Sequence, residues 1–121
     1  MNPIIKELES GISSFSSFEK TEKFKFIISS SNVIIHLKIT DENLIKTLLA
    51  KIEGLRYEMS YDKGYESLLS FGLDYALVYE SLKLARIIFN GKELMKFIND
   101  VIYYEINEGV KEVLLNELAT L

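Results

Sequence analysis

Residues 22–39 constrain the fold more than any other stretch. Phe24, Phe26 and Ile28 alternate with Lys23, Lys25 and Ile27, and after Ser29-Ser30-Ser31-Asn32, Val33, Ile35, Leu37 and Ile39 alternate with Ile34, His36 and Lys38. Strict alternation is the mark of a half-buried strand, and two such runs around a polar turn predict a β-hairpin. A turn at Ser30-Ser31 pairs Phe24 with Leu37, Phe26 with Ile35 and Ile28 with Val33 on one face. The other face then carries Lys23, Lys25, His36 and Lys38 together. A one-residue slip would mix the two faces, so the register is self-consistent.

The rest of the chain is mostly helical in period. Asn2 and Pro3 read as a cap and first helical residue, followed by Ile4, Ile5, Leu8, Ile12 and Phe15 at helical spacing. The Ser-rich run 13–17 reads as a loop. Thr40 is placed to cap a helix with the stripe Leu44, Ile45, Leu48, Leu49 and Ile52, ended by Gly54. Leu55, Tyr57, Met59 and Tyr61 alternate with Arg56, Glu58 and Ser60, which predicts a third strand over 55–60. A helix follows at about 63–80. Residues 82–89 (Leu-Lys-Leu-Ala-Arg-Ile-Ile-Phe) fit a fourth strand ending at Asn90-Gly91, or a continuation of that helix. A helix over about 92–107 and an acidic amphipathic helix over about 110–120 complete the chain. The fold class expected is α+β in one domain, 1–121: a small, mostly antiparallel sheet packed against amphipathic helices.

Composition narrows the chemistry. The 121 residues include no Cys and one His, which excludes thiol nucleophiles, Cys-ligated metals and two-histidine sites. No metal and no cofactor is expected. The net charge of −4 argues against nucleic acid as a partner. No window approaches a membrane span, and the N-terminus lacks the basic start and apolar core of a signal peptide, so a cytoplasmic location is expected. Lys outnumbers Arg twelve to two and Gln is absent, a bias shared by thermophile proteins and AT-rich genomes. There is no Gly-rich phosphate loop and no nucleophile elbow. Acid pairs such as Glu105/Glu108 suit solvated helix faces. A non-catalytic protein is the expectation.

Two kinds of surface stand out. Lys23, Lys25, His36 and Lys38 form a basic stripe if the hairpin register holds; Glu19, Glu22 or Glu58 could neutralise it from within, or an anionic partner from outside. Tyr57, Tyr61, Tyr65, Tyr75 and Tyr79 crowd between 57 and 79, and tyrosine suits core packing, pocket mouths and interfaces.

The segment Leu55-Arg56-Tyr57-Glu58-Met59-Ser60-Tyr61-Asp62, followed by a helix, resembles the strand-to-helix step of sterol-carrier-protein-2-like domains. Ala85-Arg86-Ile87-Ile88-Phe89-Asn90-Gly91, leading into Lys92-Glu93-Leu94-Met95, is similar to the strand, glycine and closing helix of the same family. The helix at 41–53 and the lack of a glycine near Leu82 depart from its pattern. The resemblance implies an apolar tunnel between sheet and helices, holding a lipid-like ligand without catalytic residues.

Two functions follow as expectations. One is a binding protein for an apolar or amphiphilic small molecule, in a pocket lined by Met59, Leu69, Tyr75 and Phe89. The other is a protein–protein interaction module, a homo-oligomer or a partner of another chain. It would use the basic face (Lys23, Lys25, His36, Lys38) and the C-terminal stripe of Val110, Val113, Leu114 and Leu118.

Overall fold

Helices account for all the regular structure among the described residues, and no strand occurs there. The computed structural model describes residues 3–61, 68–105 and 107–120, and over 68–71 the backbone alone. The elements are α1 (Pro3–Ser14), a 3₁₀ turn (Phe15–Ser17), α2 (Lys20–His36), α3 (Glu42–Met59), α4 (Leu68–Ile88), α5 (Gly91–Tyr104) and α6 (Glu108–Ala119). The expected α+β sheet is thus replaced by an all-helical architecture.

The hairpin predicted over 22–39 is the helix α2 and the link after it. Its start is a reciprocal cap, in which Glu19 accepts from the backbone of Glu22 while the Glu22 side chain accepts from the backbone of Glu19. Ile27, Ser30, Ser31 and Ile34 are its buried face. Ser30 and Ser31, expected at a turn, lie mid-helix against α4, where Ser31 Oγ donates to the buried carboxylate of Glu80. Two serines inside, and Ile and Phe on several sides, disguise the helical period as an alternation of two.

At its C-terminus α2 closes in a Schellman motif. The Ile39 N–H bonds the Ile34 carbonyl at 2.9 Å and the Lys38 N–H bonds the Ile35 carbonyl at 3.3 Å. Lys38 between them has φ 56°, the left-handed conformation that glycine usually supplies. The buried Ile34 and Ile39 form the apolar pair that accompanies such an end.

The strand predicted over 55–60 is the last part of α3. Asp41, rather than Thr40, caps this helix by accepting from the Leu44 N–H at 3.0 Å. Gly54 does not end it. An exposed mid-helix glycine costs roughly 1 kcal/mol against alanine, less than the burial of Leu55 and Met59 returns one turn later. The inward stripe is Leu44, Ile45, Leu48, Leu49, Ile52, Leu55 and Met59.

Residues 82–89 resolve as helix through Ile88. Helix α4 is apolar around most of its surface because it serves two cores. Leu77 and Leu84 face the core made with α1, α2 and α3, while Val78, Leu82 and Ala85 face the core made with α5 and α6. A helix flanked by neighbours on both sides loses its polar face, and with it the stripe that marks a helix in sequence.

Helix α5 starts at Asn90, whose side chain accepts from the Glu93 N–H at 3.2 Å. Helix α6 starts at Asn107, which accepts from Gly109 and Val110. Both caps anchor the helices expected over 92–107 and 110–120. Among the described residues, no helix is long and apolar enough to cross a membrane.

Candidate functional site

The face of α3 turned away from its core is the starting point. Lys46, Ala50, Glu53, Tyr57 and Tyr61 recur every three or four residues along it, with Gly54 beside them. Across from it stand Phe97, Asp100, Val101 and Tyr104 of α5. Ala50 and Gly54 are small, so the surface between the two helices sinks into a trough. Its larger section encloses about 760 Å³ and is lined by Ala50, Glu53, Gly54, Arg56, Tyr57, Ser60, Tyr61, Tyr104 and Glu105. A section of about 470 Å³ adjoins it through Ala50, Glu53, Arg56 and Tyr104, and reaches Lys46, Phe89 and Phe97. From Lys46 to Tyr61, in the turn just past α3, the trough runs for about 22 Å at the helical rise of 1.5 Å per residue.

Arg56 lies at the base. Its Nε donates to Asp74 Oδ1 of α4 at 2.7 Å, and its Nη2 pairs with the carboxylate of Glu105, just past α5. Asp74 and Glu105 are buried and the guanidinium nearly so. Glu105 Oε1 also accepts from the Asn107 N–H at 2.8 Å, which couples this ion cluster to the cap of α6. One cation between two carboxylates, with Glu53 beside it, gives this part of the trough an acidic character.

The rim is tyrosine. Tyr57 is 66% exposed, Tyr61 74% and Tyr104 75%, far from the half-buried state usual for this side chain; Tyr103, beside Tyr104 but outside the lining, is 81% exposed. Tyr57 and Tyr61 pack edge to face and share a hydroxyl–hydroxyl hydrogen bond of 2.9 Å. That bond to Tyr57 favours the protonated form and holds the Tyr61 phenol above its ordinary 10.0. Tyr103 and Tyr104 pack edge to face with ring centres 4.9 Å apart. At the far end, Glu42 accepts from Lys46 at 2.8 Å, and this hydrogen bond raises the ammonium above its ordinary 10.5.

The residues expected to line a ligand pocket are placed apart. Met59 is buried in the core of α3. Tyr75 is on the exposed side of α4, stacked on Tyr79. Phe89, 14 residues and about 21 Å further along, packs on Phe97 and reaches the smaller section of the trough. The Leu69 side chain and Tyr65 lie outside the described residues.

The basic stripe dissolves with the hairpin. On a helix, Lys23 and Lys25 point about 160° apart, and Lys23 and His36 are about 20 Å apart. Lys23 pairs with Glu58 at 3.0 Å and lies over the Phe15 ring, while Lys25, His36 and Lys38 are exposed. In the C-terminal stripe, Val110 and Leu114 are buried and Leu118 packs against the same core, with Val113 half-buried beside them. That stripe is covered by α4 and α5 of its own chain.

Sequence reasoning missed Arg56, Asp74, Glu105 and the Tyr103-Tyr104 pair. Two signals pointed to them: Asp74 interrupts the apolar run Leu73–Val78, and Arg56 is one of only two arginines. Among the described residues, no group of three or more His, Cys, Asp or Glu is placed to hold a metal ion. The two segments similar to sterol-carrier-protein-2-like domains lie largely in α3, α4 and α5, so the strand steps behind that resemblance are helical. Compared with known proteins, the chain matches no family model, no curated protein and no solved structure.

Proposed function

We propose that the chain is a non-catalytic binding module whose trough between α3 and α5 takes an amphipathic helix of another protein, with Lys or Arg flanking its apolar stripe. The observation that carries this is the ring of exposed tyrosines over an acid-rich base. Tyrosine supplies large contact area at low entropy cost and is concentrated where protein surfaces bind. A trough of about 22 Å matches a helix of about 15 residues, and a helix in a groove is anchored at every third or fourth residue. Glu53 and Asp100 on the walls of the trough favour a basic partner. The C-terminal helix does not serve as the docking element, because its apolar stripe is spent on its own core.

The test is an amide-resolved NMR titration of the full chain with two helical peptides of about 15 residues. Both carry the same leucine stripe, flanked in one by lysines and in the other by glutamates. The expected result is that the lysine peptide shifts amides of Lys46–Tyr61 and Gly91–Tyr104, and that the double variant Tyr57→Ala/Tyr104→Ala loses the effect. If neither peptide shifts these amides, or if the double variant binds as well as the parent, the proposal fails.

A further inference from the structure

A second groove of about 360 Å³ lies where the end of α2 meets the last turns of α4. Its apolar surface includes Ile34, Ile39 and Ile87, and its charged side chains are Lys38, Lys83 and Arg86, with no acid among the described lining residues. Two of these cations are neutralised by neighbouring carboxylates, which leaves Lys38 as the uncompensated charge of the groove. Lys83 is held by Glu80 at 2.9 Å and Arg86 by Glu117, so both are positioned rather than free. Among the described residues, the ammonium of Lys38 has no ion pair and no hydrogen bond.

Lys38 is also the one described non-glycine residue with a positive φ. Glycine would close α2 at this point with less strain. Among the described residues, no ion pair or hydrogen bond of the lysine side chain offsets that strain. Backbone strain of this kind clusters at functional sites, and here it sits at the edge of a groove.

We propose that this groove binds a free single-chain amphiphilic carboxylate, its alkyl chain over the isoleucines and its carboxylate on Lys38, with Arg86 and Lys83 beside it. The volume is at the small end of the range for ligand pockets, which suits a medium-length chain. A carboxylate meeting an ammonium forms a charge-assisted hydrogen bond, stronger than a neutral one.

The experiment titrates the full chain with decanoate at fixed ionic strength, watching the isoleucine methyl resonances, with decanol and decyltrimethylammonium as neutral and cationic counterparts. Decanoate is expected to shift Ile34, Ile39 and Ile87 and to bind more tightly than either counterpart. Lys38→Gly is expected to raise the melting temperature yet weaken decanoate about tenfold, the loss of one charge-assisted contact. Lys38→Glu is expected to weaken it further. A variant that becomes more stable while losing ligand cannot be explained by misfolding. Three outcomes overturn the proposal: equal binding of decanoate and decanol, unchanged decanoate affinity in Lys38→Gly, or binding to anionic phospholipid vesicles without binding of decanoate.

Discussion

Arg56 Nε donates to Asp74 Oδ1 at 2.7 Å, which ties α3 to the central helix α4 beneath the trough. The same guanidinium pairs with Glu105, so three parts of the chain converge on one side chain. Removing it leaves two buried carboxylates facing each other. Breaking a buried ion pair from one side typically costs about 3–5 kcal/mol, because the remaining charge is not compensated. Arg56→Leu is therefore expected to lower the free energy of unfolding by about 3 kcal/mol or more, measured by denaturant titration. A change below about 1 kcal/mol, the scale of a surface pair, would show that the cluster does not hold the helices together.

Lys38 closes α2 with φ 56°. Lys38→Gly is expected to stabilise the chain by about 0.5–1 kcal/mol, since glycine enters this region without penalty. Lys38→Val should destabilise it, because a β-branched side chain fits the left-handed region poorly. Thermal unfolding of the two variants against the parent checks both signs.

Two helical glycines make opposite predictions. A methyl group at Gly54 meets nothing within 4 Å, whereas one at Gly11 falls 2.7 Å from Phe26 Cζ. Phe26 packs with Phe15 and Phe18 at ring distances of 5.9 Å, so moving it disturbs a packed trio. Gly54→Ala is expected to stabilise α3 by up to about 1 kcal/mol. Gly11→Ala is expected to lose that gain to the displaced ring and come out neutral or destabilising. Equal stabilisation by both substitutions in chemical denaturation would contradict the close approach of α1 and Phe26.

The hydroxyl pair Tyr57–Tyr61 has a pH signature. The Tyr61 phenol is raised above 10.0 chiefly by its hydrogen bond to Tyr57, and the charge of Tyr57 adds to this. A raised phenol favours the neutral form in the folded chain. Its contribution is complete below the ordinary value and fades as pH rises through the raised one. Spectrophotometric titration of tyrosinate is expected to show one late phenol in the parent. In Tyr57→Phe that phenol is expected to return toward its ordinary value. If its titration is unchanged in that variant, the hydroxyl pair is not formed in solution.

The sequence alone determined the local beginnings and the simple stripes. Pro3 at the start of α1, the inward stripe of α3 as far as Ile52, the Asn90-Gly91 step and the apolar positions of α5 and α6 were all legible. Each depends on residues a few places apart, where capping and helical period act. The crowding of tyrosines at 57 and 61 was visible for the same reason, and half of the trough's rim with it.

Tertiary structure decided the rest. Ser30 and Ser31 look like a turn until Glu80, 49 residues beyond Ser31, takes the hydroxyl and makes an interior place for them. Residues 82–89 look like a strand until two cores are found on two sides of α4. Leu55 and Met59 alternate with polar neighbours, yet their burial one turn past Gly54 carries α3 onward. The trough needs α5 to stand across from α3, and its base needs Arg56 to meet Asp74 and Glu105, 18 and 49 residues further on. Period and capping are local, but which polar groups go inside, and which helix has neighbours on both sides, is settled only when distant segments pack together.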